Sequence, residues 1–296
     1  MADQSYVESI WPVVGCLTQL EDSLHKRFTW YPSNEKMATA VGLIGCGSVR
    51  EMLNDGSLVS IASESYETIN TFLREHGCLG ELQPFAPRTF NPDQYRITTA
   101  SRLLMRAKWD ASVSRIRSDG ITYDAFTVSG RIHTPMYSLG PKAWIEIDGG
   151  NGLSVVITMP GLEDLCPGNH GSRGTEVQVT VPCVSLKCSN DLSWAVGEKG
   201  NWVGFIKTLS GDVFGSNGLN TVKVEQAVQT SGLDLDETGA TAKSVAAMQF
   251  CLGTGYCPHQ ILYVTIDKPF NFKLSKIGYE APIMTGFLAE DVWRKA

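Results

Sequence analysis

Apolar residues recur at helical spacing over the first quarter of the chain. In residues 5–28 they lie three or four positions apart, which predicts one amphipathic helix with a single buried stripe. A second helical pattern follows the turn at residues 31–34, and a third covers residues 66–76 and stops at Gly77. We therefore expect residues 1–77 to consist mainly of helices.

From residue 95 onward the helical spacing gives way to alternating and β-branched runs. Runs of this kind, bounded by Gly, Pro, Asn or Asp, are typical of strands. Helices that come first and strands that follow, without regular alternation, predict an α+β fold with antiparallel or mixed sheets. The predicted strands cover residues 95–105, 122–128, 143–147, 153–159, 177–186, 221–228 and 261–266.

We expect one domain, because no clear boundary interrupts the pattern. Its parts are the helices, a sheet-rich body, a long segment of uncertain type and the last strands. These parts cover residues 1–77, 95–236, 237–260 and 261–296.

Charge and composition exclude several classes of partner. The chain has 296 residues, of which 43% are hydrophobic, and its formal net charge is −6, whereas nucleic-acid binding needs a concentrated basic face. We predict no membrane association, because no apolar run is long enough to span a bilayer and no polybasic patch occurs. The first residues lack the basic and apolar regions of a signal peptide, so we expect a cytoplasmic protein with reduced cysteines.

The sharpest short motif is Asp234-x-Asp236-x-Thr238. In one class of phosphatases this pattern supplies a nucleophilic carboxylate and a second carboxylate that acts as acid and base. The chemistry needs a hydrophobic parallel strand that leads directly into the first Asp, and residues 228–233 match this poorly. The alternative, which we favour, is an acidic strand end.

Other candidates for chemistry are weaker. Cys251, Cys257 and His259 lack the fourth ligand and the spacing of a structural zinc site. The glycine-rich residues 168–174 resemble a phosphate-binding loop but lack its Lys-Ser/Thr ending. His133 and the histidine in that loop have no plausible nucleophile beside them in the sequence. We therefore predict no catalytic residue, no metal, no cofactor and no enzymatic activity.

Residues 237–260 are unusual because small side chains alternate along a segment without helix caps. Long segments of this kind are uncommon in compact domains and are usually functional or disordered. One face of an extended chain could enter a sheet here without steric conflict. The small residues on that face are Ala240, Ala242, Ser244 and Ala246.

Together these features resemble the serpin family. Glu237-x-Gly239 followed by small residues is similar to the serpin hinge, and residues 267–272 with Met284-x-Gly286 resemble the family's last strands. Further pieces in the same order strengthen the resemblance. They are residues 31–38, 45–53, Lys108-Trp109, 126–136, 153–160 and 181–197.

The resemblance implies a serpin-like fold: helices packed on mixed and antiparallel sheets, with an exposed reactive-centre loop at residues 237–260. The chain is shorter than typical serpins around residues 77–109, so helices E and F and one or more edge strands are expected to be missing. Some poxvirus serpins are shortened similarly and also lack a leader, which implies a viral protein of the host-cell cytoplasm. A hydrogen-bonded cluster of the family is rewritten here as Tyr31, Asn34, Ser101 and Gln229.

The mechanism that the resemblance implies is mechanical. A protease cleaves the loop and forms an acyl-enzyme on it, and the cut hinge then enters the large sheet as a new strand. The implied hinge residues are Glu237, Gly239, Ala240, Ala242, Ser244 and Ala246.

Counting along the loop from the hinge gives Gly253 and Thr254 as the scissile bond. Phe250, Leu252 and Tyr256 are alternatives, since glycine is a poor specificity residue. They would suit a chymotrypsin-like serine protease or a cysteine protease as the target.

Two other functions stay open at this point. A non-inhibitory serpin-fold protein that binds a partner or has a structural role is favoured by the missing sheet edge and by Ala240, where Thr or Ser is typical. The phosphatase is the more remote alternative. The partner is thus expected to be a protein, either a target protease or another one, and the oligomeric state is open.

Overall fold

The structure is a computed structural model that describes most of the chain. Described are residues 4–25, 27–28, 30–32, 34–83, 98–133, 143–165, 175–192, 205–207, 221–222, 227–242 and 262–296. Within these ranges the helices are α1 Trp11–Leu24, α2 Glu35–Leu43, α3 Gly47–Asn54 and α4 Tyr66–Glu75.

Strands make up most of the remaining described chain. They are β1 Tyr6–Glu8, β2 Trp30–Tyr31, β3 Leu58–Ser63, β4 Thr98–Leu103, β5 Met105–Ala107, β6 Ala111–Ser118, β7 Ile121–His133, β8 Trp144–Asp148, β9 Leu153–Thr158, β10 Thr175–Pro182, β11 Val184–Asn190, β12 Phe205–Lys207, β13 Thr221–Val222, β14 Gln229–Asp236, β15 Gly239–Ala242, β16 Leu262–Thr265, β17 Phe270–Lys276 and β18 Met284–Leu288.

The chain forms two compact units. The first comprises Met1–Ser9, Leu104–Cys188 and Gly232–Ala296, and the second comprises Ile10–Leu103 and Ser189–Ser231.

A nine-stranded sheet dominates the first unit. Its order is β1-β18-β17-β9-β8-β7-β10-β16, and β6 also pairs with β7. The neighbours are antiparallel, except that β10 and β16 are parallel, so the predicted mixed sheet is confirmed. Alternation fixes its buried face: on β9 and β17 every second residue is buried, including Val155, Ile157, Phe270, Phe272 and Leu274.

In the second unit, α1 and α4 cover the two-stranded ribbon of β3 and β4. Ser60 pairs with Ser101 and donates a hydrogen bond to its hydroxyl over 2.9 Å. A Cβ on Gly15 of α1 would lie 2.2 Å from the Ser101 Oγ, so only glycine allows the helix to approach this closely.

The opposite face of the ribbon packs against α4. Ile69 and Phe72 of the helix form an apolar cluster with Ala100. The β3 residues immediately before and after Ser60 also pack against this cluster. Since successive side chains on a strand point to opposite faces, the ribbon lies between the two helices.

Three strands lie within the segment that is expected to be helical. β1 pairs with β18, β2 with β12 and β3 with β4, so all three are specified by partners far along the chain. Local spacing carries little information about such pairings. Helix α1 accordingly begins at Trp11, after β1 has ended.

Among the described residues, no helix has the combined length and apolarity that crossing a bilayer would require.

Candidate functional site

The candidate site is the hairpin of β14 and β15, which contains the first predicted hinge residues. Leu233 and Leu235 on β14 are buried, whereas Gly232 and Asp234, which each precede one of them, are exposed. This alternation is typical of a strand with one buried face. β14 then reverses through the two residues Glu237 and Thr238 into β15.

The side chain of Asp236 stabilises the turn. Its Oδ1 accepts hydrogen bonds from the backbone N–H of Thr238 over 2.8 Å and from the Thr238 hydroxyl over 2.6 Å. An aspartate that binds the backbone two residues later is a common way to fix a tight turn. This turn sets the register between β14 and β15, in which Asp236 pairs with Gly239.

Gly239 is the first residue of β15, and its backbone excludes a side chain. Its φ is 144°, and a Cβ placed on it would lie 2.1 Å from the carbonyl oxygen of Ala107. Both the backbone conformation and the contact with β5 therefore require glycine here. The next residue, Ala240, is fully buried and pairs with Ala107.

β15 is inserted between two other strands. It pairs antiparallel with β14 on one side and with β5 on the other, in a four-stranded sheet of order β11-β14-β15-β5. The predicted hinge residues Gly239, Ala240 and Ala242 thus lie in a paired strand, and Glu237 lies in the turn before it. Two residues of the hinge segment, Ala240 and Thr241, are already paired on both edges, whereas Gly239 pairs only with β14 and Ala242 only with β5.

Trp109, just after β5, connects this strand to the root of the hairpin. Its Nε1–H donates a hydrogen bond to the carbonyl oxygen of Asp236 over 3.0 Å. The indole ring stacks on Phe126 of β7, with ring centroids 5.4 Å apart and planes 17° from parallel. The hairpin root is therefore fixed to the nine-stranded sheet by one directed bond and one stacked pair.

A buried thiol lies near the acidic hairpin root. Desolvation raises the pKa of Cys183 to about 11; Arg294 opposes this shift, while the negative charges of Glu237, Asp236 and Asp124 reinforce it. The Cys183 backbone is fixed as well, because its N–H donates to the Asp124 carbonyl and its own carbonyl accepts from the Arg294 N–H, both over 2.8 Å. At neutral pH the thiol is protonated and unreactive, which supports a packing role.

The Asp234-x-Asp236-x-Thr238 motif lies in the same hairpin, where its side chains have structural partners. Asp234 accepts a hydrogen bond from the Ser185 hydroxyl over 2.7 Å, and Asp236 is occupied by the turn. The strand that leads into the motif is paired antiparallel with β15, whereas the phosphatase chemistry needs a parallel strand. Within the described ranges no group of three or more His, Cys, Asp and Glu side chains could hold a metal ion. The acidic strand end that we favour from the sequence agrees with this geometry.

The remaining predicted residues are distributed differently. The hinge residues Ser244 and Ala246 lie outside the described residues, as do Phe250, Leu252, Gly253, Thr254 and Tyr256 of the candidate cleavage sites. Cys251, Cys257, His259 and His170 lie outside them too. His133 stacks on Trp144 with ring centroids 5.2 Å apart, and its Nε2 is 3.1 Å from a carboxylate oxygen of Glu146. Neither partner is a nucleophile of the kind that a hydrolytic triad needs.

Of the four positions where the resemblance places a rewritten cluster, two have clear local roles. Asn34 caps α2 by accepting a hydrogen bond from the Met37 N–H over 2.8 Å, and Ser101 binds Ser60. Sequence reasoning missed the bond of Ser101 and the bond from Trp109 to Asp236. The cap has a signal in the sequence, since Asn before a helical pattern is a strong N-cap residue.

Comparisons with known proteins agree with this architecture. No model of a known protein family matches the sequence, and no curated protein matches it. Among solved structures the chain is similar to the crystal structure of Serpin48, described as a highly specific serpin in the insect Tenebrio molitor. The TM-score is 0.51 at 14% identity, over 97% of this chain and 92% of Serpin48. The predicted serpin-like α+β fold is thereby confirmed, and at this identity the similarity concerns the fold alone.

Proposed function

We propose that this serpin-like chain is a protease inhibitor of the serpin type. A protease would cut the segment after β15, and the freed hinge would continue into the sheet as an extension of β15. The observation that carries the proposal is the position of residues 239–242 between β14 and β5. Insertion would thus extend an existing strand and would not have to start a new one.

The register of β15 defines how the extension would proceed. Ala242 is opposite Met105, so continued antiparallel pairing would place Ser244 opposite Leu103 and Ala246 opposite Ser101. These hinge residues are small and occupy alternate positions, as a buried face requires. Each added residue would gain backbone hydrogen bonds to strands on both sides, and each bond contributes roughly 0.5–1.5 kcal/mol net.

The proposed cleavage site lies between residues 250 and 256. Gly253–Thr254 is the position that the family pattern implies, and Phe250, Leu252 or Tyr256 would offer a large apolar side chain before the cut bond. The large apolar residues favour a chymotrypsin-like serine protease or a cysteine protease with an apolar pocket as the target. The acyl-enzyme that forms on the loop would be trapped by the insertion.

A second function is favoured by a specific observation. Among the described strands β4 pairs with β3 alone, so the described part of the sheet that would receive the hinge is narrow. A narrow sheet gives an inserted strand less support, and a serpin-fold protein that binds a partner without trapping a protease is the alternative.

The experiment that separates the two functions is complex formation with active proteases. The protein is incubated with chymotrypsin and, separately, with papain, and the products are resolved on denaturing gels. The proposal predicts a band that contains both proteins and survives denaturation, together with a released fragment whose first residue maps the cut between residues 250 and 257. Cleavage without any such band, for both enzymes, would favour the non-inhibitory alternative.

A further inference from the structure

Strand β6 lies at an edge of the nine-stranded sheet. Among the described strands it pairs with β7 alone, and the two-residue turn Asp119-Gly120 joins them. Both turn residues have positive φ, 45° and 80°, as a tight hairpin turn requires. In the part of the chain that the structure describes, no backbone hydrogen bond reaches the other edge of β6, which we call the open edge.

Hairpin geometry determines which residues of β6 face the open edge. Ser118 and Ile121 are paired across the two-residue turn. In such a hairpin this pair is hydrogen-bonded, and bonded and non-bonded pairs then alternate along the two strands. Val113, Arg115 and Arg117 belong to the non-bonded pairs. Their backbone N–H and C=O groups therefore point away from β7, towards the open edge.

The side chains of the same three residues are exposed. Val113 is 76% exposed, the side chain of Arg115 is 72% exposed, and Arg117 is exposed as well. Arg115 lies 4.0 Å from a carboxylate oxygen of Asp124 on β7, which is the limit of an ion pair. On a chain with a net charge of −6, the open edge thus combines one apolar and two basic side chains at alternate positions.

We propose that the open edge binds an extended acidic segment of a partner protein, which adds to the sheet as a further antiparallel strand. In this mode of recognition the backbone hydrogen bonds supply affinity, and the side chains at alternate positions supply specificity. Antiparallel pairing places acidic residues opposite Arg117 and Arg115 and an apolar residue opposite Val113. The partner segment therefore has the pattern acid-x-acid-x-apolar. This surface is independent of the proposed inhibitory function.

Charge argues against a second copy of this chain as the occupant. Symmetric pairing of two β6 strands about Arg115 would place the Arg115 side chains of both copies opposite each other, and like charges opposite each other are destabilising. Basic side chains on an edge strand commonly prevent such self-association. The same side chains attract an acidic strand, because opposite charges on neighbouring strands contribute favourably.

The test uses the synthetic heptapeptide Thr-Glu-Thr-Glu-Thr-Ile-Thr with a fluorescent label. Its binding to the full-length protein is measured by fluorescence anisotropy at low ionic strength, where screening is weak. We expect Arg117→Glu to weaken binding about fivefold, because an attractive cross-strand pair becomes repulsive. Equal binding by wild type and Arg117→Glu would overturn the inference.

Lys273→Glu is the matched control for the charge reversal. Lys273 is exposed on β17, which is paired on both edges, with β9 and with β18, so it offers no open edge to a peptide. The substitution changes the net charge by the same amount as Arg117→Glu, and we expect it to leave binding unchanged. An equal loss of affinity in the two variants would contradict the proposal, because the peptide would then respond to net charge alone.

Backbone methylation of the peptide distinguishes strand addition from a purely electrostatic contact. In the proposed pairing the N–H groups of the two glutamates bond to β6, whereas those of the two internal threonines point away from it. Methylation of both glutamate nitrogens is expected to weaken binding about tenfold, as the loss of two hydrogen bonds implies. Methylation of both internal threonine nitrogens is expected to have little effect. Equal affinity of the two methylated peptides would overturn the inference.

Hydrogen exchange identifies both the edge that is occupied and its occupant. The acidic peptide is expected to slow exchange at the amides of Val113, Arg115 and Arg117. Protection that falls elsewhere and spares these amides would overturn the inference. Protection of the three amides at raised protein concentration without peptide would overturn it too, because a second copy would then be the occupant.

Discussion

Strands β17 and β15 each pair with one strand on either side, but they differ in the size of their side chains. β17 has buried Phe270, Phe272 and Leu274 on one face and exposed residues between them, and it pairs with β9 and β18. β15 has only Gly and small residues, and its first position tolerates no side chain. The first strand contributes apolar area, whereas the second is suited to enter a gap between existing strands.

The difference separates residues that stabilise the whole protein from residues that would govern insertion. In the proposed mechanism insertion changes the four-stranded sheet, so we expect a large side chain in the nine-stranded sheet to contribute equally to the intact and the cut protein. A residue in the hairpin of β14 and β15 would contribute mainly to the difference in stability between the intact and the cut protein. Substitutions in the two strands should therefore have distinct signatures.

The largest expected effect is that of Phe272→Ala. The side chain is 1% exposed, and its removal leaves a cavity that costs about 3–5 kcal/mol. Urea unfolding of intact and cut protein should show the same loss in both, with the difference between them unchanged. A loss confined to one of the two states would mean that β17 takes part in the conformational change.

A smaller but more selective effect is expected for Gly239→Ala. The added Cβ collides with the Ala107 carbonyl and strains the backbone, which costs on the order of 1–3 kcal/mol where β15 is docked. The intact protein can relieve this strain by releasing β15, whereas the inserted state cannot. We expect the stability gained after cleavage, measured by thermal unfolding, to fall in this variant.

Gly232→Ala is the matched control for this comparison. Gly232 is exposed on the neighbouring strand β14, and an added Cβ would lie 3.6 Å from the Leu186 carbonyl, which is an ordinary contact. The gain after cleavage should match that of wild type. An equal reduction in the two glycine variants would show that strand flexibility matters here and that the contact with Ala107 does not.

Sequence patterns predicted those parts of the molecule that have local signals. The buried alternation of residues 153–159 gave β9 nearly to the residue, and the helical spacing of residues 66–76 gave α4. In both cases one segment carries its own evidence. The hinge role of Gly239 is implied by the resemblance to serpins and stays a prediction.

Features that depend on distant partners could not be predicted in the same way. β1 and β3 have short and mixed sequences, and only pairing with β18 and β4 makes them strands. The bonds from Trp109 to Asp236 and from Leu79 to Thr230 join residues more than a hundred positions apart. No local spacing encodes these bonds, so the contacts that hold the hairpin of β14 and β15 are visible only in the structure.

The most direct test of the account is the melting temperature of the wild-type protein before and after a single cut within residues 248–258. Insertion of the hinge as an extension of β15 predicts a rise far beyond the roughly 2–4 °C that an interaction of about 1 kcal/mol is worth in a chain of this size. An unchanged or lower melting temperature would contradict the account, because the cut hinge would then gain no strand partners.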